Sequence, residues 1–216
     1  MSIIGRFRDA ALAWCLLTAP AQAATLGYFY DAPSTLGDIS SAVTFADANA
    51  PTATFTATAL DFPAGAGTTL TANSSLLSYT GSNAVDLVGA VSTKIRSSVF
   101  VFEGYLDLKP GAQTFSVSST EGFLLEIDGV GTSLFSGTRG YAATSVYVDA
   151  GSGPVAFRLY HFVENGQAGL NFSIDGVTVE GMISAPPRPP SSIPLPASLP
   201  MALCGLALLR TLRRRG

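Results

Sequence analysis

The stretch Glu121–Gly129, EGFLLEIDG, decides the fold class. Phe123, Leu125 and Ile127 occupy every second position, and the residues between them include a carboxylate, so a strand here has one buried and one wetter face. Farther along, Phe172–Gly181, FSIDGVTVEG, places an Asp-Gly pair between two short β-type runs, which is a strong signal for a tight hairpin. Both stretches indicate antiparallel strands packed on a hydrophobic core.

The chain between Thr25 and Ile183 continues this pattern. Short runs rich in β-branched and aromatic residues are separated by Gly, Asn, Asp and Pro, and no segment keeps a helical apolar period over about eleven or more positions. We therefore predict one all-β domain over residues 24–184, an antiparallel β-sandwich. The predicted strands are Leu26–Tyr30, Ala42–Phe45, Ala53–Leu60, Ser97–Leu108, Thr114–Ser119, Phe123–Asp128, Ser145–Val148, Val155–Phe162, Gly169–Ile174 and Val177–Met182.

Charge and cysteine content exclude several classes of function. Between Ala24 and Ser184, five basic residues stand against fourteen acidic ones, a net charge of −9. Nucleic-acid binding needs clustered Lys and Arg, so it is excluded. The two cysteines, Cys15 and Cys204, lie in the terminal segments, so the predicted domain has no thiol nucleophile, disulfide framework or cysteine-based metal site.

The first 23 residues are typical of a secretory signal peptide. Arg6 and Arg8 precede a short apolar run, Ala10–Thr18, and the small residues Ala21 and Ala23 define an A-x-A cleavage site. We place the cut between Ala23 and Ala24, and expect the Sec translocon and signal peptidase as partners. The alternative is an ordinary N-terminal helix, but about nine apolar residues are too few to span a bilayer and the rest of the chain has a β-type pattern.

The C-terminal end predicts a membrane segment after a spacer. Residues 185–192 form a Pro-rich linker, which is extended rather than packed. About 17 mostly apolar residues then follow from Ile193 to Leu209, at the lower limit for a transmembrane helix. The positive-inside rule predicts that the basic cluster behind them stays cytoplasmic and leaves the β-domain outside. That cluster consists of Arg210, Arg213, Arg214 and Arg215.

Residues 193–216 carry a Pro motif, an apolar segment and an Arg cluster in that order. The motif residues are Ile193, Pro194, Leu195, Pro196 and Ala197. This arrangement resembles the PEP-CTERM class of sorting signals, in the variant whose motif reads Val-Pro-Leu-Pro-Ala. The resemblance implies an exported protein of a Gram-negative bacterium that makes extracellular polysaccharide, and an exosortase that removes the tail. A plain tail anchor is the alternative.

The β-domain carries a second set of motifs. Phe102–Leu106, FEGYL, is followed by the Pro110-Gly111 turn, by Ser119–Gly122 and by Ile127–Gly129, and a later segment, Leu159–Leu170, ends the series. The pattern resembles the protective-antigen-type domain, a fourteen-kilodalton β-sandwich module of toxins, flocculins and some glycosidases. The resemblance implies a sandwich that binds carbohydrate.

The sequence departs from that module at the turn where the sugar-binding flocculins place two adjacent calcium-binding aspartates. Here the turn is Thr120-Glu121-Gly122, which offers one carboxylate. Calcium prefers six to eight oxygen ligands. We therefore expect no cofactor and no metal site, with calcium as the alternative that the resemblance brings.

Catalytic constellations are weak. His161, the only histidine, shares the apolar face of a predicted strand, which indicates a core or sheet role. No G-x-S-x-G elbow accompanies the many serines, and the carboxylates at Glu121 and Asp128 are expected in solvated turns. We predict a non-enzyme. The candidate ligand-binding residues are Glu121, Asp128 and two tyrosines expected to be exposed, Tyr141 and Tyr160.

Three functions follow from these observations. The leading hypothesis is an exported protein that is transiently anchored by its C-terminal helix and then placed at the cell surface or in the extracellular matrix, where it binds polysaccharide. The second is a purely structural surface or biofilm component without a ligand. The third is an accessory domain of hydrolase type.

Overall fold

The computed structural model describes residues 22–65, 67–149 and 151–184. The chain divides into two units, Met1–Pro186 and Pro187–Gly216, and all described residues belong to the first. Most of the predicted signal peptide, the Pro-rich linker and the predicted sorting signal with its transmembrane helix lie outside the described residues. Neither helix within the described ranges, at ten and five residues, is long enough to cross a membrane.

Strands dominate the described part of the chain, and this confirms the predicted all-β class. Two helices, α1 (Ile39–Ala48) and α2 (Leu76–Thr80), and a 3-10 turn at Gly81–Asn83 interrupt them. The strands are β1 (Gln22–Asp31), β2 (Ala53–Ala57), β3 (Asp61–Phe62), β4 (Leu70–Thr71), β5 (Ala84–Gly89), β6 (Ser98–Leu108), β7 (Gln113–Ser119), β8 (Phe123–Ile127), β9 (Val130–Phe135), β10 (Ala142–Val148), β11 (Gly153–Val163), β12 (Gln167–Ala168), β13 (Leu170–Ile174), β14 (Val177–Thr178) and β15 (Met182–Ser184).

The strands form two main antiparallel sheets. Sheet I has the order β5-β2-β1-β6-β11-β8-β9, and β15 adds to it by pairing with the start of β1. Sheet II has the order β10-β7-β13-β14, with β3 also paired to β13. A small ribbon joins β12 to β4. In both sheets, therefore, some neighbouring strands are consecutive in the sequence and others are far apart in it, as in other antiparallel sandwiches.

The core lies between the two sheets and is rich in aromatic rings. Phe157 on β11 of sheet I lies 6.0 Å, between ring centroids, from Phe172 on β13 of sheet II. Phe172 also lies 6.0 Å from Phe115 on β7. The predicted alternation is present, since β7 and β8 bury every second side chain. Sheet-on-sheet packing through one buried face of each strand therefore defines the sandwich.

Helix α1 corrects the strand predicted at Ala42–Phe45. Asp38 caps its first turn by accepting a hydrogen bond from Ser41 N at 2.8 Å. Ile39, Ala42 and Ala46 are buried against the outer face of sheet I, where Val99, Val101, Tyr160 and Phe162 receive them. The apolar stripe is only three residues wide, and Val43, Thr44 and Phe45 obscure it with β-type composition. The prediction was wrong because three apolar positions are too few to distinguish the period of a helix from that of a short strand.

Other predicted strand boundaries differ by a few residues, and some elements were not predicted. Val177–Met182 is not one strand but β14 followed by the start of β15. Strands β5 and β9 were missed. At the N-terminal end, Ala23 and Ala24 pair with Ile183 and Met182. Cleavage between them would leave Ala24 as the first residue of β1.

Candidate functional site

Three loops meet where several strands of both sheets end. The loops follow β7, β9 and β11, and they surround a cavity of about 580 Å³, which we call the loop cleft. Register brings them together, because Phe123 at the start of β8 pairs both with His161 and with Phe135. The residues that line the cleft include Thr120, Glu121, Arg139, Tyr141, Glu164 and Asn165. Loops held by a rigid sandwich are common places for binding sites.

The turn Thr120-Glu121-Gly122 forms one wall of the loop cleft and is held by its backbone. Thr120 N donates to Gly169 O at 3.1 Å, and Thr120 Oγ1 accepts from Gly169 N at 3.1 Å. Gly122 O accepts from Phe162 N at 3.2 Å. Gly122 has no room for a side chain, because a Cβ there would lie 2.5 Å from the carbonyl oxygen of Ser136. The turn is therefore fixed against both sheets.

Glu121 is buried, which corrects the expectation of a solvated turn carboxylate. Only 4% of the residue is exposed, and Oε2 accepts a hydrogen bond from Glu164 N at 2.9 Å. Burial raises the pKa of Glu121 to about 7, the hydrogen bond from Glu164 N opposes the rise, and the charge of Glu164 adds to it. Near neutral pH, the protonated and the ionised forms of this carboxyl group are therefore both populated.

Glu164 is a residue of the cleft that sequence reasoning did not select. It is 7% exposed, and its Oε1 accepts from Leu36 N and, at 2.9 Å, from Gly37 N, which fixes the segment leading into α1. Its other oxygen, Oε2, is buried and has no hydrogen-bond partner among the described residues. The sequence offers one signal for Glu164, its position within the motif segment Leu159–Leu170, but that position does not by itself distinguish its carboxyl group.

Arg139 supplies the one cation in the lining of the loop cleft, as far as the chain is described, and its guanidinium is engaged. Nε and Nη2 donate to Ser119 O at 3.2 Å and Ser119 Oγ at 3.0 Å, and Nη1 donates to Thr144 Oγ1 at 2.8 Å. The group also lies 4.2 Å from the ring centroid of Phe135. Arg139 therefore ties the loop after β9 to the end of β7.

The structure brings two of the four predicted ligand-binding residues together. Tyr141 is half-buried and lines the loop cleft with Glu121. Asp128 lies at the other end of β8, exposed in a turn, where its Oδ1 accepts from Ala156 N at 3.1 Å. Tyr160 does not have the expected exposure. It is only 2% exposed because α1 covers it, and its hydroxyl donates to Asp47 Oδ1 at 3.1 Å.

His161 lies in the core behind the loop cleft, in agreement with its predicted place on a strand. It is fully buried, and Nδ1 lies 3.2 Å from Gly122 O, so this nitrogen carries the proton that is donated to the carbonyl oxygen. Burial lowers the pKa of His161 to about 4, with a further contribution from the charge of Arg139. The neutral imidazole thus supports the turn at Glu121–Gly122.

Several oxygens of the loop cleft already accept hydrogen bonds. Glu121 Oε2 and Glu164 Oε1 are already occupied by backbone N–H groups, and Thr120 Oγ1 accepts from Gly169 N. In the three described ranges, no group of three or more His, Cys, Asp or Glu side chains is arranged to hold a metal ion. Six to eight oxygens are the usual calcium shell.

Comparisons with known proteins place the fold. No family model matches the sequence, and no curated protein matches it. Among solved structures, the "PA14 sugar-binding domain from RTX adhesin" is similar with a TM-score of 0.60 and 19% identity, over 76% of this chain and 99% of that one. The PA14 domain of the antifreeze protein MpAFP gives a TM-score of 0.63 and 19% identity, over 75% and 90% of the two chains. The chain therefore shares its β-sandwich fold with PA14 domains.

Proposed function

We propose that this protein is an exported, non-enzymatic carbohydrate-binding module that acts at the cell surface or in the extracellular matrix. The observation that carries the proposal is the loop cleft, whose volume of about 580 Å³ suits a small ligand. Support also comes from the fold, since one solved structure with the same fold is named as a sugar-binding domain.

The side chains of the loop cleft suit the chemistry of sugars. Sugar hydroxyls both donate and accept hydrogen bonds, and the exposed amides of Asn165 and Gln167 can do the same. Tyr141 adds an apolar ring with a polar tip, a combination that packs against the C–H face of a sugar ring. The cleft thus offers both halves of a carbohydrate site, polar groups for orientation and an aromatic surface for contact.

Three observations favour binding over catalysis and independence from calcium. Glu121 and Glu164 are both buried and use oxygens to hold backbone N–H groups, so they position loops. His161 is neutral down to low pH and lies behind the cleft wall. Calcium prefers six to eight oxygen ligands, and three oxygens of this cleft, on Glu121, Glu164 and Thr120, already accept backbone hydrogen bonds. We therefore propose binding that persists when calcium is removed.

A glycan array with the purified protein tests this function, with and without a calcium chelator. We expect binding that survives the chelator and that weakens by about tenfold in Tyr141→Ala, because the variant loses the aromatic contact. Tyr147→Ala is the matched control. Tyr147 is 82% exposed on β10 and is absent from the lining of the loop cleft, so its loss should leave binding unchanged.

An array without any binding would contradict the proposal and favour a purely structural surface or biofilm component. Equal losses in Tyr141→Ala and Tyr147→Ala would show that the glycan does not occupy the loop cleft. Loss of binding on chelation would contradict the calcium-independent form of the proposal. Hydrolysis of a bound glycan would contradict the non-enzymatic role.

We propose further that residues 193–216 are the sorting signal of an exosortase substrate from a Gram-negative bacterium. Support comes from the sequence, through the Ile193–Ala197 motif and the basic cluster that follows the apolar segment. Mass spectrometry of the protein recovered from the producing cells tests it. We expect a chain that begins at Ala24 and lacks the residues after about Pro196. An intact Arg213–Arg215 tail would contradict exosortase processing.

A further inference from the structure

The acidic and basic side chains of the loop cleft differ in how far they are already engaged by hydrogen bonds. Glu121 and Glu164 contribute two carboxyl groups, whereas the guanidinium of Arg139 is committed to Ser119 and Thr144. Glu121 and Glu164 are close enough for the charge of Glu164 to add to the rise in the pKa of Glu121 that burial causes. We call the side of the cleft formed by Glu121 and Glu164 the carboxyl side; the one cation in the described lining, Arg139, already donates its N–H groups to Ser119 and Thr144.

Each carboxyl group of the carboxyl side has one oxygen that accepts backbone N–H donors and one oxygen without a donor among the described residues. Glu164 is more than nine-tenths buried, and its Oε2 has no hydrogen-bond partner among the described residues. Glu121 Oε1 has no donor among the described residues either, while Oε2 is used by Glu164 N. A buried carboxylate oxygen without a donor is costly, because desolvation is not compensated. Both residues line the loop cleft, so two carboxyl groups with one unused oxygen each are available as acceptors for a ligand bound there.

We infer that the loop cleft recognises sugars with a free amino group, hexosamine residues whose ammonium lies against the carboxyl side. This inference rests on the proposed carbohydrate binding and names its ligand class. A primary ammonium carries three N–H donors and one positive charge in a compact group. It can donate to both unused oxygens and offset the repulsion between the two carboxyl groups. Charge-assisted hydrogen bonds of this kind are about twice as strong as neutral ones.

Other ligand groups fit this wall less well. A neutral sugar hydroxyl has one donor and no charge, so it cannot serve both oxygens. An acidic sugar would add a negative charge beside two carboxyl groups, and like charges brought together at a binding site are unfavourable. An N-acetylated amine keeps the sugar backbone but loses the positive charge and two of the three N–H donors. The free amine and its N-acetylated form therefore give the sharpest comparison.

Calorimetric titration of the purified protein with two β-1,4-linked tetrasaccharides tests the inference. One is composed of glucosamine and the other of N-acetylglucosamine, so they differ only in acetylation. We expect the Kd of the glucosamine tetramer to be lower by about tenfold or more. Glu121→Gln and Glu164→Gln should each bring that ratio close to one, because each removes an ionisable carboxyl group from the carboxyl side. Glu180→Gln, an exposed site outside the cleft, should leave the ratio unchanged.

The outcomes separate this inference from the proposed function. Equal binding of both tetramers by the unaltered protein overturns the amino-sugar preference and leaves carbohydrate binding standing, whereas no binding of either overturns both. If a Gln variant does not fold, the ratio in the unaltered protein still decides. Tetralysine supplies ammonium groups without a sugar. If it binds as tightly as the glucosamine tetramer, or if Glu180→Gln lowers the ratio as much as the cleft variants, general attraction to an acidic protein replaces the inference.

Discussion

At the scale of the residue, Glu121 has an acid–base property that its place in a turn would not ordinarily give it. Burial raises its pKa from 4.5 to about 7, so the folded state keeps a proton that the unfolded chain releases. The free energy of unfolding contributed by this residue is therefore highest below about pH 4.5, falls as the pH rises to about 7, and is constant above. A neutral residue of the same shape escapes this loss.

Glu121→Gln should consequently gain stability relative to the unaltered protein as the pH rises. Gln keeps the oxygen that accepts from Glu164 N, and it cannot ionise. We expect the difference in the free energy of unfolding to move in favour of the variant by up to about 3 kcal/mol between pH 4 and pH 8. Urea denaturation across this range measures it. Glu180→Gln serves as the exposed control, and a difference for Glu121→Gln that does not change with pH would contradict the buried, protonated carboxyl.

His161 should titrate far below an ordinary histidine. Burial lowers its pKa from 6.5 to about 4, so between these values the unfolded chain binds the proton and the folded state does not. Its contribution to the free energy of unfolding is therefore full above about pH 6.5 and is lost as the pH falls to about 4, opposite in sign to that of Glu121. Because His161 is the only histidine, NMR follows one imidazole without assignment. A midpoint near 6.5 in the folded protein would contradict this prediction.

At the scale of the element, α1 covers the outer face of sheet I and is held there by a few small contacts. Ile39→Ala should lower the free energy of unfolding by about 2 to 3 kcal/mol, because it removes buried methyl groups from the contact with Val99 and Tyr160. Leu77→Ala on α2 is the control, since Leu77 is exposed and a change of about 0.5 kcal/mol or less is expected. Urea denaturation compares them. Equal effects would show that α1 does not depend on this packing.

The elements also show which parts of the molecule the sequence could predict. Strand β8 follows directly from its alternation, and β6 and β11 from long β-type runs. Helix α1 could not be predicted, because its three buried residues are recognised as an apolar face only when the sheet face that covers them is known. That sheet face is built from residues 99–101 and 160–162. The cleft divides in the same way. Glu121 and Tyr141 were selected from local patterns, whereas Glu164 acquires its role from Leu36 and Gly37, more than a hundred positions away.

At the scale of the whole molecule, the two sheets are held against each other by packing and not by disulfide bonds. Both cysteines lie outside the domain, so no disulfide connects sheet I to sheet II. The rings of Phe157 and Phe172 make one of the contacts between them, Phe62 on β3 makes others with Phe55 and Phe102, and Phe115 supports Phe172 from within sheet II. Each such ring buries a large apolar area, and a domain of this kind has a net stability of only about 5–15 kcal/mol. A few aromatic side chains therefore decide whether the sandwich is stable.

Phe172→Ala tests this dependence directly. The ring is fully buried between the sheets, so its removal loses the transfer free energy and leaves a cavity. We expect the free energy of unfolding to fall by about 3–5 kcal/mol. Tyr147→Ala, which removes an exposed ring from the same sheet, should cost about 0.5 kcal/mol or less. Because neither sheet can bury its apolar face alone, far-ultraviolet circular dichroism and tyrosine fluorescence should report a single coincident transition in urea for both variants. A loss below about 1 kcal/mol in Phe172→Ala, or two separate transitions, would mean that each sheet holds its own core and that the inter-sheet contact is not what stabilises the fold.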